Sequence, residues 1–253
     1  MHAVTATGRR IYVDPADPRG ERLVEADGDL NPGTLRLWRC ALAMHPWDVV
    51  VDVGVNYGEM LVGVELPEGA EVIGFEPNPA VRELLALTLA ESGVKAQIRP
   101  EAVSATAGTA TFMVDSHWSG TSSLRDERHA DSVGWRSLEV AVTTLDRVID
   151  PGRTFCAKVD VEGFERDVVA GAADAMRSAR HWAMLLEVAH MSRPYLAALA
   201  EERVVLLMDR RTGALVRVPG GNAELVDDLL AKRWLHAHDC LVVSDAVLAE
   251  IEG

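Results

Sequence analysis

The feature that most constrains the fold is a hydrophobic strand that runs directly into a glycine-containing turn, at residues 50–58. Gly54 and Gly58 let the backbone approach a ligand where a side chain would collide. A second apolar strand follows at residues 72–75 and leads into Glu76. In parallel α/β sheets, ligands lie beyond the carboxyl ends of the strands, where an acidic residue can accept hydrogen bonds from ribose hydroxyls. The pattern predicts a parallel α/β sheet that binds an adenosine-bearing cofactor.

The chemistry of this turn separates two classes of cofactor. Nicotinamide dinucleotide sites usually carry Gly-x-Gly-x-x-Gly, which lets a helix N-terminus meet the pyrophosphate. This chain instead has Asp52-x-Gly54-x-Asn56-x-Gly58, a wider turn that begins with a carboxylate. A carboxylate suits a cationic or amino-acid end, which favours S-adenosylmethionine. A glycine turn after a buried strand is also a common βα connection, so Glu76 strengthens the interpretation.

The length of the chain allows one large domain. With 253 residues and 48% hydrophobic content, it can bury a core as a single α/β unit. We expect residues 1–47 to form an N-terminal cover and residues 48–253 a Rossmann-like core. A long polar segment, residues 115–137, lies between two predicted strands and contains Trp118 and Trp135. Long loops usually have a function and exposed tryptophans are costly, so we predict a substrate-facing lid.

The charge and the cysteines exclude several classes of partner. Lys and Arg total 25 against 39 Asp and Glu, a net charge of −14, with no basic run. Nucleic-acid binding requires cationic side chains, so we expect no nucleic-acid partner. No apolar stretch approaches the ~20 residues of a membrane span, and no signal core begins the chain. Cys40, Cys156 and Cys240 are distant and in apolar surroundings, which predicts buried thiols in a cytoplasmic protein.

Hydrophobic periodicity predicts the remaining elements. The predicted helices are 34–45, 59–65 and 80–92, followed later by one that ends near Gly171. The predicted strands are 97–99, 109–114, 138–143, 155–159, 183–186, 204–208, 214–218 and 240–243. Asp160 and Glu162 follow the strand 155–159, and we expect them to share one face of an extended chain.

Six blocks of sequence carry a resemblance to a known family. They are Val51–Gly58, Phe75–Pro79, Ala102–Ser104, Ser122–Leu124, Thr144–Asp146 and Lys158–Glu165. Together they resemble the FkbM-type S-adenosylmethionine-dependent methyltransferases over most of the chain, and the last block is the most specific. The resemblance implies the class I methyltransferase fold, a Rossmann-like three-layer α/β/α sandwich with a seven-stranded, mostly parallel sheet. It also implies O-methylation of a hydroxyl on a small molecule or saccharide, often a sugar or secondary metabolite.

The resemblance also assigns roles to residues. It places the methionine end of the cofactor at Asp52, Gly54 and Asn56, the ribose at Glu76, and the adenine near Glu101 and Ala102. Other predicted cofactor contacts are Tyr57, Gly58, Pro77, Asn78 and Asp160. An aliphatic residue is commoner in the family where this chain has Tyr57. For the acceptor we predict contacts from His117, Trp118, Ser122 and Ser123.

Four residues are candidates for acid–base catalysis: Asp160, Glu162, His190 and His117. Each has a structural alternative. Asp160 could cap the following helix, Glu162 could stabilise its N-terminus, and His190 could be a hydrogen-bonded structural histidine. His117, the weakest candidate base, could simply be solvated in its loop. Asp160 and Glu162 also offer paired oxygens that suit magnesium, but we predict no metal.

The sequence leaves several alternatives open. One is N-methylation of a metabolite or peptide, and another is a non-catalytic protein that binds S-adenosylmethionine. A nicotinamide dehydrogenase is the weakest alternative because the turn lacks its glycine spacing. The identity of the acceptor is not encoded in these patterns, nor is the oligomeric state, for which a homodimer remains open.

Overall fold

A computed structural model of the chain describes residues 1–124 and 134–252. Their strands are β1 (His2–Val4), β2 (Arg10–Tyr12), β3 (Val49–Val53), β4 (Glu71–Phe75), β5 (Gln97–Arg99), β6 (Ala102–Val103), β7 (Gly108–Asp115), β8 (Ser123–Leu124), β9 (Trp135–Thr143), β10 (Phe155–Val159), β11 (Trp182–Glu187), β12 (Val204–Asp209), β13 (Leu215–Arg217) and β14 (Leu235–Val243). Their helices are α1 (Pro18–Glu25), α2 (Pro32–Ala43), α3 (Glu59–Val62), α4 (Pro79–Ser92), α5 (Glu165–Ala170), α6 (Ala173–Ser178), α7 (Arg193–Glu202), α8 (Ala223–Leu230) and α9 (Asp245–Glu252).

The central sheet has the strand order β13-β12-β14-β11-β10-β3-β4-β5. Neighbouring strands from β11 to β5 are parallel, whereas β14 runs antiparallel to both β11 and β12. Seven of these strands form the predicted sheet with its one antiparallel member, which confirms the class I methyltransferase fold. The eighth strand, β13, differs from the prediction because it folds back on β12 as an antiparallel edge hairpin. Asp209 closes that hairpin by accepting backbone hydrogen bonds from Arg211 and Thr212.

Helices cover both faces of the central sheet. Val49, Val51 and Val53 of β3 belong to the cluster that contains buried residues of α5, α6, α7 and α8. Val50 belongs to the opposite cluster, with buried residues of α1, α2, α3, α4 and α9. All five residues of β3 are buried, as expected for a central parallel strand covered on both sides. The side chains of this nearly continuous apolar run point alternately to the two faces of the sheet. Helices cover both faces, which gives the three-layer architecture.

A second sheet, with the order β6-β9-β7-β8, stands beside the first. The strands predicted at residues 109–114 and 138–143 are β7 and β9, which pair antiparallel here. This sheet has its own small core, which includes Phe112, Val114 and Val142. The polar side chains that alternate along β7 and β9 limit that core to one face of the sheet.

Several local features differ from the sequence pattern or complete it. The helix predicted at residues 59–65 is only four residues long, because Gly63 ends it and Pro67 follows. The cysteines are free thiols, with Cys156 and Cys240 buried and Cys40 half-buried. Among the helices of the described residues, none combines the length and apolar character that a membrane crossing requires.

The N-terminal residues are joined to the core through Trp38 of α2. Its ring is completely buried, and its Nε1 donates a hydrogen bond to the backbone oxygen of Met60, 3.0 Å away. Met60 belongs to α3, which directly follows the glycine turn. Trp38 thus links α2 directly to the segment that follows the glycine turn.

We expect Trp38→Phe to lower the free energy of unfolding by about 1–3 kcal/mol, because the buried Met60 carbonyl loses its donor. Urea denaturation checks this value, and an unchanged slope against urea concentration would indicate the same unfolding reaction. Trp234→Phe is the matched control, since Trp234 is exposed and should change stability little. A loss no greater than that of the control would contradict the anchoring role of Trp38.

Candidate active site

A cavity of about 330 Å³ opens beyond the carboxyl ends of β3, β4, β10 and β11. Many of the residues predicted from the sequence line it. They are Gly54, Asn56, Glu76, Pro77, Glu101, Ala102, Trp118, Ser122, Ser123, Asp160 and Glu162. Six others do not line it, namely Asp52, Tyr57, Gly58, Asn78, His117 and His190. The structure thus brings together residues from the core sheet, the second sheet and the segment after β7.

The turns after β3 and β10 lie in direct contact at Gly54. This residue has a φ of +84°, and a Cβ added to it would stand 2.0 Å from the backbone oxygen of Asp160. The Asp160 amide also donates to the Val53 oxygen, 3.1 Å away. Only glycine satisfies both the left-handed conformation and the close approach. Gly54 therefore holds Asp160 beside the turn that follows β3.

Glu76 is a buried carboxylate held by two backbone amides. Its Oε2 accepts a hydrogen bond from the Asn56 amide at 2.9 Å, and its Oε1 accepts one from the Asn78 amide at 2.8 Å. Burial raises the pKa of Glu76 to about 7 despite these two bonds. Each carboxylate oxygen retains a second lone pair, so Glu76 can accept two further hydrogen bonds from a ligand. Asn78 contributes by orienting Glu76 and by capping α4.

Asn56 and Tyr57 connect the glycine turn to the N-terminal residues. Asn56 has a φ of 50°, and its Oδ1 accepts from the Tyr57 amide and from Nη1 of Arg19, 3.0 Å away. The Tyr57 ring is buried, and its hydroxyl donates to Oδ2 of Asp17 at 2.7 Å. Burial and this bond raise the pKa of Tyr57. Tyr57 therefore does not line the cavity but supports the glycine turn from its buried side. The sequence pattern alone did not indicate this position.

Lys158 is a buried cation between the two strand-end carboxylates. Its Nζ lies 3.4 Å from Oδ1 of Asp52 and 3.5 Å from Oδ2 of Asp160, and donates to the Gly54 oxygen at 3.0 Å. Burial raises the pKa of Asp52 to about 6, although Lys158 opposes this shift. Burial disfavours the charged form of Lys158, but Asp52 and Asp160 outweigh it and raise the pKa of the ammonium. Asp52 thus supports the cavity through Lys158.

The turn after β10 is shaped by a second buried carboxylate, Glu165. Its Oε1 accepts from the amides of Val161 and Gly163, each at 3.1 Å. Glu162 adopts a φ of 57°, so the chain turns there. The expectation that Asp160 and Glu162 share one face of an extended chain is therefore wrong, although both reach the cavity. Helix α5 begins after this turn with no side-chain cap, so Asp160 is not its capping residue.

A group of ionisable side chains lies beside Asp160. Nε2 of His190 is 2.9 Å from Oε2 of Glu162 and 4.0 Å from Oε2 of Glu187. Burial, together with the charges of Asp160 and Glu162, raises the pKa of Glu187 to about 8. Nε2 of His238 stands 3.6 Å from the other oxygen of Glu187. Glu187 and His238 line the cavity but were not predicted; the position of Glu187 at the end of β11 was the available signal.

The segment after β7 contacts the N-terminal residues above the cavity. The Ser119 amide donates to Oδ1 of Asp17 at 3.3 Å, and the Arg22 guanidinium lies 5.7 Å from the Trp118 ring centroid. His117, in contrast, is 75% exposed and sits beside Asp115 rather than in the cavity. Residues 125–133 of the predicted lid lie outside the described residues.

Two serines of this segment are partly engaged by the protein itself. Oγ of Ser122 accepts a hydrogen bond from the Asp115 amide at 3.1 Å, and Oγ of Ser123 donates to the Leu124 oxygen at 3.3 Å. Both line the cavity, so their contact with an acceptor stays a prediction.

Arg19 is a cavity residue that the sequence analysis missed. It projects from α1, forms a short hydrogen-bonded ion pair with Glu59, and contacts Asn56. The guanidinium is nearly inaccessible, with 12% of its side chain exposed. It belongs to a segment rich in Asp, Pro and Gly, where no local pattern distinguishes a buried arginine from a solvated one.

Comparison with models of protein families gives a match over most of the core. Residues 52–210 match the methyltransferase FkbM domain. Because the match spans more than half of the sequence, the chain belongs to this methyltransferase family, which confirms the resemblance. A comparison with curated protein sequences gives no significant match.

Solved methyltransferase structures are similar to the chain over most of its length. A geranyl diphosphate methyltransferase in complex with SAM has 17% identity and a TM-score of 0.44, covering 97% of this chain and 96% of that one. An rRNA methylase from Streptococcus thermophilus has 10% identity and a TM-score of 0.40, with coverages of 82% and 91%. A putative O-methyltransferase from Klebsiella pneumoniae has 9% identity and a TM-score of 0.41, with coverages of 92% and 91%.

We expect Lys158→Met to lower the free energy of unfolding by about 3–5 kcal/mol at pH 8, because it leaves Asp52 buried near Glu59 and Asp160 without its cation. Asp52 ionises near 3.8 when unfolded and near 6 when folded, so it destabilises the fold as pH rises through that window. Without Lys158, the pKa of Asp52 in the folded chain rises further. The loss should therefore be smaller at pH 5 than at pH 8.

Chemical denaturation at the two pH values measures this difference. Lys95→Met is the control, because Lys95 is exposed on the loop before β5. Equal losses at both pH values would show that Asp52 is not the group that Lys158 compensates.

Proposed function

We propose that this chain is an S-adenosylmethionine-dependent methyltransferase that acts on a hydroxyl of a small molecule or saccharide. The observation that carries the proposal is the Glu76 carboxylate, fixed by two backbone amides at the end of β4. It faces the same cavity as the Gly54 turn and Asp160. Membership of the methyltransferase family supports methyl transfer, and the cavity supports the choice of cofactor.

The donor groups in the cavity fit the three parts of S-adenosylmethionine. Glu76 offers acceptors for the two ribose hydroxyls. Glu101 and Ala102, at the start of the second sheet, would border the adenine. The methionine end carries both an ammonium and a carboxylate, and the Gly54–Asn56 turn would receive it. Carboxylates and the Gly54 turn would meet the ammonium, whereas Arg19 and Arg22 line the same cavity and would meet the carboxylate.

The chemistry that we propose is an in-line displacement at an electrophilic methyl group. The cofactor supplies a sulfonium methyl, and the acceptor oxygen bonds to its carbon while the carbon–sulfur electron pair passes to sulfur. Orientation of the two reactants can contribute ~7–11 kcal/mol, whereas a general base contributes about 3–5 kcal/mol. The cavity wall and the Trp118 segment would therefore contribute more than the base.

We assign the proton transfer to Asp160. Its side chain is 39% exposed and lines the cavity, and Lys158 holds its Oδ2 at the end of β10. His190 bonds to Glu162 instead and does not line the cavity. The acceptor hydroxyl would thus give its proton to Asp160 as the oxygen attacks.

The charge of the cavity bears on the class of acceptor. Asp160, Glu162 and Glu187 place three acidic groups beside the proposed methyl position, which disfavours a phosphodiester backbone. The same charges would attract a protonated amine, so N-methylation of a metabolite or peptide is the second candidate. A panel of sugars, alcohols and amines, with S-adenosylhomocysteine formation as the readout, separates the two. Tight cofactor binding with no transfer to any acceptor would instead favour a non-catalytic binding protein.

We expect Glu76→Ala to weaken S-adenosylmethionine binding by about 1.5–3 kcal/mol, because the ribose hydroxyls lose a charged acceptor. In the native chain, affinity should rise as pH increases through about 7, since the carboxylate is the stronger acceptor. Arg19 and Arg82 face Glu76, and both act to lower its pKa. The variant should lose this pH dependence.

Calorimetry from pH 6 to pH 8.5 measures both effects, with Glu83→Ala on the exposed side of α4 as the control. Unchanged affinity in Glu76→Ala would exclude the ribose assignment.

We expect Asp160→Asn to lower kcat by about 10²–10⁴-fold, because the amide keeps the volume of the side chain but loses the proton acceptor. Single-turnover methyl transfer to the best acceptor of the panel gives the rate. Asp174→Asn is the control, as Asp174 is exposed and does not line the cavity. A full rate in Asp160→Asn would remove the base role.

A further inference from the structure

Three side chains from two strand ends converge beside the acceptor end of the cavity. Glu162 follows β10, Glu187 ends β11, and His190 lies three residues further on. We propose that these three residues form a binding site for a first-row divalent metal ion. This site was not expected from the sequence, in which Glu187 was not singled out and no metal was predicted.

The spacing of the three groups suits one ion. One oxygen of each carboxylate and one imidazole nitrogen all lie within 4.8 Å of one another. Nε2 of His190 is 2.9 Å from Oε2 of Glu162 and 4.0 Å from Oε2 of Glu187. Ligands at bond lengths of about 2.0–2.2 Å stand roughly 2.8–4.4 Å apart, so small side-chain rotations complete the geometry.

The second observation is a buried carboxylate oxygen that has no hydrogen-bond donor. Glu187 is only 6% exposed, and among the described residues its Oε2 has no hydrogen-bond partner. A buried acceptor left in this state costs about 1–3 kcal/mol, and more when it is charged. Its other oxygen faces His238 at 3.6 Å. This oxygen is the one that faces His190, at 4.0 Å, which is where the ion would bind.

The charges around the site favour a cation. Asp160 stands beside Glu162 and Glu187 and adds a third carboxylate. Lys158 and His238 provide positive charge, but Lys158 is shared between Asp160 and Asp52, and His238 also pairs with Asp239. A divalent ion bound to the two glutamates would offset the remaining negative charge.

The ligand types indicate which ion. An imidazole together with two carboxylates suits Mn²⁺ or Zn²⁺, whereas Mg²⁺ prefers oxygen ligands and retains several waters. Three protein ligands leave at least one coordination position for another molecule. That position would lie on the side of Asp160.

The role of the ion rests on the proposed function. An acceptor hydroxyl bound to the ion would lose its proton more easily, and Asp160 would take that proton. The oxygen lone pair then forms the bond to the methyl carbon, and the carbon–sulfur electron pair leaves with sulfur. The ion changes no oxidation state, so the step needs no further reactant.

A second His–Glu cluster in the chain provides a matched comparison. His45 and His181 are stacked at 4.1 Å, and Glu250 contacts one ring with each oxygen, at 3.2 and 3.0 Å. Both oxygens of Glu250 are therefore engaged. The two histidines precede β3 and β11, which places this cluster at the opposite end of the sheet from the cavity.

The test is Mn²⁺ binding to the full chain, measured by electron paramagnetic resonance without cofactor or acceptor. We expect one site in the native chain. Glu187→Gln and His190→Asn should each weaken it by at least about 10-fold, since even substitutions outside the ligand shell cost 10–100-fold. Glu250→Gln should leave it unchanged. His190 is 35% exposed, so its variant should fold even if Glu187→Gln does not, and thermal melting verifies this.

Each result supports or overturns the site. No Mn²⁺ binding, or equal binding in the native chain and in folded His190→Asn, would overturn it. A higher melting temperature in the presence of a simple alkylamine, without any Mn²⁺ binding, would also overturn the proposal. It would identify an ammonium site instead. Calorimetry of S-adenosylmethionine with a chelator present separates the two proposals. If the chain binds the cofactor but does not bind Mn²⁺, the metal site is excluded and the proposed methyltransferase function still stands.

Discussion

The buried contact among Asp52, Lys158 and Asp160 is the interaction on which the rest of the site depends. It joins the ends of β3 and β10, which are neighbouring parallel strands of the central sheet, through one ammonium group. The same ammonium bonds to the Gly54 oxygen and so fixes the turn that touches Asp160. Lys158 lines the cavity together with Gly54 and Asp160, so its ammonium group contributes to the charge that a ligand meets there. A neutral residue at Lys158 would leave two carboxylates facing each other in a poorly solvated place.

Burial gives the cavity its electrostatic character. The pKa values of Asp52, Glu76 and Glu187 are all raised, and burial is the main cause for each. A cavity of this kind stores unfavourable solvation energy that cationic or hydrogen-donating ligands relieve. The sulfonium and ribose of the proposed cofactor, and the proposed metal ion, are ligands of this chemistry. Burying these acidic groups costs folding free energy, and a ligand that relieves this cost binds more tightly.

The positions of the core strands along the chain followed from the sequence because each strand is a short apolar run that ends in an informative residue. Gly54, Glu76 and Asp160 were recognisable for the same reason. Lys158 was not, because a lysine within an apolar strand has no local signature of burial. The turn at Glu162 depends on Glu165 accepting from amides behind it, which alternation cannot reveal. The second sheet was also missed, since strand patterns give no partner and both β7 and β9 looked compatible with the core.

Asp17 receives hydrogen bonds from three separate parts of the chain. Its Oδ1 accepts from the amides of Arg19 and Ser119, and its Oδ2 accepts from the Tyr57 hydroxyl. One carboxylate thus connects the start of α1, the glycine turn and the segment above the cavity by hydrogen bonds. The longest of these contacts is the one to Ser119, at 3.3 Å. Because all three partners share one buried carboxylate, a substitution at any of them changes the hydrogen bonding that holds the other two.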